Sequence, residues 1–308
     1  MYKHVTVLLD EAVEKLNINP SGIYVDCTLG GGGHSSAILE RLEDGHLYCF
    51  DQDDYAIEKS TQKLRSVSNN FTIIKSNFAN IKDELLDRGI SKVDGILYDL
   101  GVSSYHFDIP ERGFSYNEDA ILDMRMDQSQ ELTAKEVVNT YSAKDLMRIF
   151  SRYADIKYSP RLANAIVKYR ENNMITRTLE LVEIIKDATP QAIRRKAHPA
   201  KKAFQAIRIE VNKELEVLEK SLESALELLK KDGRIVVISF HSLEDRLVKN
   251  MFRDAVETDI PSGVPIRESD IVKDFRLITR KPIIPTDDEI LANNRAHSAK
   301  MRIVEKIT

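Results

Sequence analysis

At 308 residues, 42% hydrophobic and 31% charged, the chain has the composition of a globular protein with room for one or two domains. Its formal net charge of -4 excludes indiscriminate nucleic-acid binding by the whole surface and leaves only a local basic patch for that purpose. No apolar run could span a bilayer, the first residues lack a secretory signal, and Cys27 and Cys49, without a CxxC, make neither a disulfide framework nor a metal site. A cytoplasmic protein with no membrane contact and no bound metal is expected.

Residues 5–16 place Val5, Leu8, Leu9, Ala12, Val13 and Leu16 on one side and Asp10, Glu11 and Glu14 on the other, which predicts a helix. Asn19-Pro20-Ser21-Gly22 breaks it. A strand over 23–26 then runs into four consecutive glycines, Gly30 to Gly33, and a helix over 35–42. That layout presents backbone N–H groups to a nucleotide-like ligand, and glycines supply the positive φ and close approach it needs. A second strand over 46–51 ends on Asp51, placed to accept hydrogen bonds from ribose hydroxyls; the alternative is a cap for the helix over 54–64. A third strand over 71–75 is followed by Ser76-Asn77-Phe78, and a helix over 81–88 leads to a fourth strand over 93–99 that ends on Asp99. Strands alternating with helices imply a parallel, doubly wound sheet, at whose carboxyl edge Asp26, Asp51 and Asp99 should converge.

From about 107 to 199 the periodicity is helical throughout, as in Val137, Val138 and Tyr141, or Leu162, Ala165, Ile166 and Tyr169. We read 107–199 as an all-helical insertion and 1–106 with 200–308 as the discontinuous sheet domain. The insertion also gathers Arg161, Lys168, Arg170 and Arg177, then Arg194, Arg195, Lys196, His198, Lys201 and Lys202. Such a run is either a solvated face or a phosphate-binding surface. One long amphipathic helix is expected over 204–229, a fifth strand over 234–240, and a capping box in Ser242-Leu243-Glu244-Asp245. The last two strands are expected over 275–279 and 300–304, with a polar loop around Asn293-Asn294-Arg295 between them.

The dinucleotide fingerprint G-x-G-x-x-G fails, because Ser35 or Ser36 stands where its third glycine belongs. S-adenosyl-L-methionine (SAM) suits the loop better: it has no pyrophosphate, and its amino and sulfonium cations can be received by acids such as Asp26. Attack on cytosine C5 would need a thiolate, and neither cysteine lies near Asp99-Leu100-Gly101-Val102-Ser103-Ser104, the loop after the fourth strand. Methylation of an exocyclic amine needs only acceptors and in-line placement, which Asp99 and that loop can offer. A small-molecule or DNA amino-methyltransferase would carry Asn/Asp-Pro-Pro-aromatic there, whereas Asp99 is followed by Leu-Gly-Val. A non-catalytic RNA-binding factor with an inherited cofactor loop is the third reading.

Asp26-Cys-Thr-Leu-Gly-Gly-Gly-Gly-His34, Asp99-Leu-Gly-Val-Ser-Ser104, Glu111-Arg-Gly-Phe-Ser115, Leu122-Asp-Met-Arg-Met-Asp127, His198-Pro-Ala-Lys201, Phe204-Gln-Ala-Ile-Arg208 and Ser239-Phe-His-Ser-Leu-Glu-Asp-Arg246 resemble the MraW/RsmH family over nearly the whole chain. The resemblance implies an α/β fold of the class I SAM-dependent methyltransferase kind, a Rossmann-like doubly wound sheet with an inserted all-helical domain for RNA recognition. It implies methylation of the N4 of a cytosine in the decoding centre (P site) of 16S rRNA within the small ribosomal subunit, and it leaves a homodimer open. Cofactor contacts carry over onto Gly32, Gly33, His34, Asp51, Phe78 and Asp99, and onto His106, which stands with Tyr105 where the family usually has Pro-Gln. His297 likewise replaces a usual arginine. On the acceptor side we expect Asp99 as wall and catalytic group, Arg112 and Phe114 against the target base, and Lys201, Lys202 and Arg208 on the RNA backbone. His241 is either a proton acceptor or a structural hydrogen-bonding group.

Overall fold

The computed structural model of the chain describes residues 6–102, 109–195, 198–257 and 273–308. The chain divides into two compact units, Met1–Gly101 with Leu215–Thr308, and Val102–Glu214. The first unit holds seven strands: β1 Ile23–Asp26, β2 His46–Asp51, β3 Phe71–Lys75, β4 Val93–Asp99, β5 Leu229–Ser239, β6 Phe275–Leu277 and β7 Lys300–Lys306. They form one sheet in the order β3-β2-β1-β4-β5-β7-β6. β1 to β5 pair in parallel, and β7 runs antiparallel to both β5 and β6. Central strands of such a sheet are covered on both faces, which is why Ile235, Val236, Val237 and Ile238 form an unbroken buried apolar run.

One face is packed by α1 (Leu9–Lys15), α2 (Gly33–Leu39) and α3 (Asp54–Arg65), through Ala12, Ile38 and Leu64 against Leu47, Leu97 and Val236. The other is packed by α4 (Ile81–Leu86) and helices Glu214–Leu228 and Ser242–Val256, through Leu85, Leu222 and Phe252 against Phe50, Tyr98 and Val237. Among the described residues, no helix is long and apolar enough to cross a membrane.

Register explains where a ligand can sit. Asp26 pairs with Cys49 on one side and with Leu97 on the other, so Asp51 and Asp99 each stand two residues beyond the level where β1 ends. Because side chains alternate along a strand, all three acids point to the α2 and α3 face. β1 is also the strand at which the chain order reverses, with β2 and β3 to one side and β4 and β5 to the other. A notch therefore opens at the topological switch point, about 10 Å across from β2 to β4, with an acid on each wall.

The second unit holds helices Ala134–Thr140, Ala143–Ala154, Ser159–Arg170, Thr178–Ala188, Gln191–Arg194 and Ala200–Asn212. It is not helical throughout, as the periodicity implied. Between Arg112 and Thr133 the chain forms no helix and is held by side chains that answer its carbonyls. Arg125 Nη1 donates to the carbonyls of Gln128 (2.9 Å) and Gln130 (2.6 Å), and Asn212 bridges Met126 N–H and Met124 O, both at 2.8 Å.

The expected long helix over 204–229 is two helices, Ala200–Asn212 and Glu214–Leu228, parted by Lys213 in the left-handed region at φ 50. Residues 200–214, which the sequence reading placed with the sheet, belong to the helical unit, where Ala200–Asn212 packs on Ala143–Ala154, Ala134–Thr140 and Thr178–Ala188. Continuous apolar spacing hid the break, because a single residue of positive φ redirects a helix without disturbing its three-four pattern.

Candidate active site

β1 leaves the sheet before its neighbours, and the glycine loop occupies the notch. Asp26 is only 1% exposed and organises that turn: one carboxylate oxygen accepts the Thr28 N–H at 3.0 Å and the other the Ser35 hydroxyl at 2.6 Å. Burial raises its pKa against the lowering effect of those bonds. At that burial, with its oxygens bonded inside the loop, Asp26 is closed to the cofactor's cations where the part-exposed Asp51 is not, and the expectation that Asp26 receives them fails. Thr28 Oγ1 accepts the Asp99 N–H at 2.7 Å and couples the loop to the end of β4.

The loop is pinned by its carbonyls. Ser60 Oγ donates to Gly30 O (2.5 Å), Lys63 Nζ to Gly31 O (3.1 Å) and Ser36 Oγ to Gly32 O (2.6 Å). In a trans peptide the next N–H points opposite to the carbonyl, so the N–H groups of Gly31 and Gly33 turn away from these donors. Gly32, at φ 66, is the N-cap of α2, and a Cβ on Gly33 would run into the Thr6 side chain. Thr28, Ser36, Ser60 and Lys63 were missed from sequence. Ser36 bonds back to the N-cap of its own helix, but no local pattern marks Thr28, Ser60 or Lys63, which act on another element's main chain.

Asp51 accepts the Gly30 N–H and the Asp53 N–H, both at 2.9 Å, one on each oxygen. The cap of α3 is Asp53, whose carboxylate accepts the Tyr55 N–H, so the helix-cap reading of Asp51 fails. Phe78 opens a 3-10 helix beyond β3, anchored by its carbonyl to Ser221 Oγ (2.9 Å), and its ring meets Tyr98 edge-on at 5.7 Å. A carboxylate and an aromatic edge are thus both fixed beyond the ends of β2 and β3.

Asp99 stands on the opposite wall. Its Oδ2 lies 3.5 Å from Nδ1 of the buried His34, while Oδ1 is buried with no hydrogen-bond partner among the described residues. Burial, with the negative charges of Asp26 and Glu244, raises its carboxyl well above the usual aspartate range. A buried acceptor lacking a donor is the observation that best fits a cationic or N–H-bearing ligand in this notch.

His241 is the N-cap of helix Ser242–Val256. Its Nδ1 faces the Glu244 N–H at 3.4 Å, and Glu244 answers with Oε2 on the N–H groups of Phe240 (2.8 Å) and His241 (3.2 Å). The capping box thus begins one residue before the expected Ser242. His241 Nε2 sits 3.1 Å from Glu244 Oε1, poorly aligned for a hydrogen bond. Of the two readings offered for His241, the geometry supports the structural one.

In the second unit several expectations change. Arg112 and Phe114 are 6% and 4% exposed, the guanidinium donating to the carbonyls of Arg125 (2.9 Å) and Met126 (3.2 Å) with the Phe114 ring 6.0 Å away. They tie down the irregular segment and do not present a face to a base. Arg208 forms a two-pronged pair with Glu214, at 2.7 and 2.9 Å, and both side chains are nearly buried. Arg170 donates to the carbonyls of Val138 and Tyr141, and Arg177 pairs with Asp119. Lys201 and Lys202 are exposed, as is His297 in the first unit. His106, with Ser103, Ser104 and Tyr105 of the acceptor loop, lies outside the described residues.

The Arg208 pair yields a test. Arg208→Ala leaves a nearly buried carboxylate uncompensated and should cost about 3 kcal/mol in denaturant unfolding. The salt dependence of RNA binding should stay that of the wild type; a flatter dependence with unchanged stability would restore Arg208 to the RNA surface.

A doubly wound sheet of this strand order, with a glycine loop, a β2 acid and a β4 acid around its switch point, defines a class I SAM-dependent methyltransferase. The sequence matches the MraW methylase family over residues 1–307, and the chain belongs to that family. It is 53% identical over 310 residues, 99% of each chain, to Ribosomal RNA small subunit methyltransferase H of Limosilactobacillus fermentum. Among solved structures it is similar to an rRNA methylase of Streptococcus thermophilus (TM-score 0.43, 12% identity, 97% of this chain and 93% of that one). It is also similar to a Streptococcus mutans protein in complex with SAH (TM-score 0.45, 11% identity, 99% of this chain and 100% of that one). As a member of that family it takes its methyl group from SAM.

Proposed function

We propose that this chain methylates the exocyclic N4 of one cytosine in the decoding centre (P site) of 16S rRNA, acting on the small ribosomal subunit. The observation that carries the rRNA substrate is the relative named for small-subunit rRNA methylation, 53% identical along 99% of both chains. The amine rather than a ring carbon is favoured by the thiols: Cys27 and Cys49 are 1% and 0% exposed, and burial pushes both well above the ordinary cysteine range, so neither is a nucleophile.

SAM supplies an electrophilic methyl group on a sulfonium sulfur. The N–H groups of Gly31, Gly33 and His34 and the Asp51 carboxylate would hold its nucleoside and amino-acid parts, with the Phe78 ring available to its base. Asp99 faces the acceptor, and the raised pKa makes its carboxylate a better proton acceptor than an ordinary aspartate. As the N4 lone pair forms the N–C bond and the S–C bond breaks, one N4 proton leaves to Asp99 or through it to water. The cytosine has to leave its stack to reach the notch, and the helical unit recognises the surrounding RNA.

Small subunits from cells lacking this protein, incubated with it and labelled SAM, should yield N4-methylcytidine on nucleoside digestion, with free cytidine unlabelled. Label in C5-methylcytidine, or in no nucleoside, sinks the reading.

A further inference from the structure

With Arg112 and Phe114 buried, the helical unit needs another surface for RNA, and it presents one aromatic ladder. Phe204 is 3% exposed; Tyr116 meets it edge-on at 5.9 Å and 81° and is itself half-buried; the exposed His198 stacks on Tyr116 at 4.6 Å with the rings 22° apart. The ladder runs from core to surface, and the imidazole is its outermost rung. His198 Nδ1 accepts the Ala200 N–H at 3.3 Å, which fixes the ring's orientation and places its proton on Nε2. Burial and the Lys186 charge lower its pKa, so near neutral pH the ring is an uncharged plane and not a phosphate-binding cation.

Along the chain the charges on either side of His198 are of one sign, while Glu118 and Asp119 follow Tyr116 and Asp119 is taken up by Arg177. No Asp or Glu occurs between Asp187 and Glu210. Arg195, Lys201 and Lys202 are exposed, and their side chains enter no ion pair among the described residues. A merely solvated face mixes both signs, as helix Ala143–Ala154 does with Lys144, Asp145, Arg148 and Arg152. A planar ring flanked by unpaired cations is how single-stranded nucleic acid is held, base on ring and phosphates on ammonium groups.

We propose that the His198–Tyr116 stack is a nucleobase platform, on which an unpaired base of the substrate RNA stacks while Lys201 and Lys202 contact the flanking phosphates. The proposal rests on the rRNA reading above and names the surface that reading requires.

The test measures KM and kcat on small subunits, SAM affinity by calorimetry and the salt dependence of binding to a labelled single-stranded oligoribonucleotide. His198→Ala should raise KM about tenfold, with kcat and SAM affinity unchanged. His198→Phe, which stacks without the Nε2–H, should recover most of that loss. Lys201→Ala with Lys202→Ala should lower the slope of log affinity against log salt by about 1.4, roughly 0.7 for each phosphate contact. A wild-type KM for His198→Ala, a His198→Phe protein no better than it, or an unchanged salt slope each overturns the platform. If His198→Ala fails to fold, the exposed lysine pair decides by itself. A wild-type protein that methylates no subunit removes the functional reading as well, which separates the two failures.

Discussion

Asp99→Asn is expected to lower kcat by about 10²-fold to 10³-fold while SAM affinity changes by less than about tenfold. The amide keeps the size of the carboxyl and one acceptor oxygen, so the site keeps its shape and loses only the ability to take a proton. Single-turnover methylation and calorimetry, read side by side, check this; activity within threefold of wild type would remove Asp99 from the proton path. In the wild type, the acid limb of kcat/KM, which reports the free enzyme, should lie above the ordinary aspartate range, because burial, Asp26 and Glu244 all oppose ionisation of Asp99. Stability should move the other way. Below pH about 4 the carboxyl is protonated in folded and unfolded chains alike, and the substitution is close to neutral. As pH rises through the raised native pKa, the wild type must hold a charge it disfavours, so that part of its stability is lost. Asp99→Asn should then match or exceed the wild-type Tm at neutral pH, with any gain vanishing in acid.

Gly32→Val is expected to abolish measurable SAM binding in a protein that still folds. At φ 66 the position lies in the left-handed region, which costs an ordinary residue about 1–2 kcal/mol and a β-branched one more. A Cβ there would also press on Ser60, 3.3 Å from its Cβ, the residue whose hydroxyl pins the Gly30 carbonyl. Relief of either strain rotates peptides whose N–H groups line the notch. Gly32→Asn, which tolerates this backbone better, should keep weak binding; if valine and asparagine behave alike, crowding and not backbone strain is the cause. Unchanged affinity in Gly32→Val would overturn the account of the loop.

The sheet was legible because its strands are buried apolar runs punctuated by turn residues. The expected bounds of β2, β3 and β4 coincide with those observed, and the strand-terminal acids gather at one edge of the sheet as expected. The helices of the insertion were legible as elements, though their buried faces were not always the expected ones. Helix Ser159–Arg170 buries Leu162 and Ile166 as expected and leaves Tyr169 37% exposed. Where sequence reasoning failed, it treated polar residues as available. Arg112, Arg208 and Asp26 carry the charges a binding site needs, and each is taken up by carbonyls, a carboxylate or a hydroxyl of its own unit. Sequence records that a group can form hydrogen bonds and is silent on which partner wins.

What the sequence determined by itself is the alternation of strand and helix, the glycine loop and the acids at the strand ends, because these follow from spacing and backbone preference along the chain. What only the tertiary structure decided is which polar groups remain for a ligand. Among the described residues Asp99 keeps a buried oxygen without a donor while Asp26 does not, and His198 stacks at the surface while Phe114 lies inside. That division has one physical reason: a buried polar group must find a partner, and the partners come from segments far apart in sequence that only folding brings within reach.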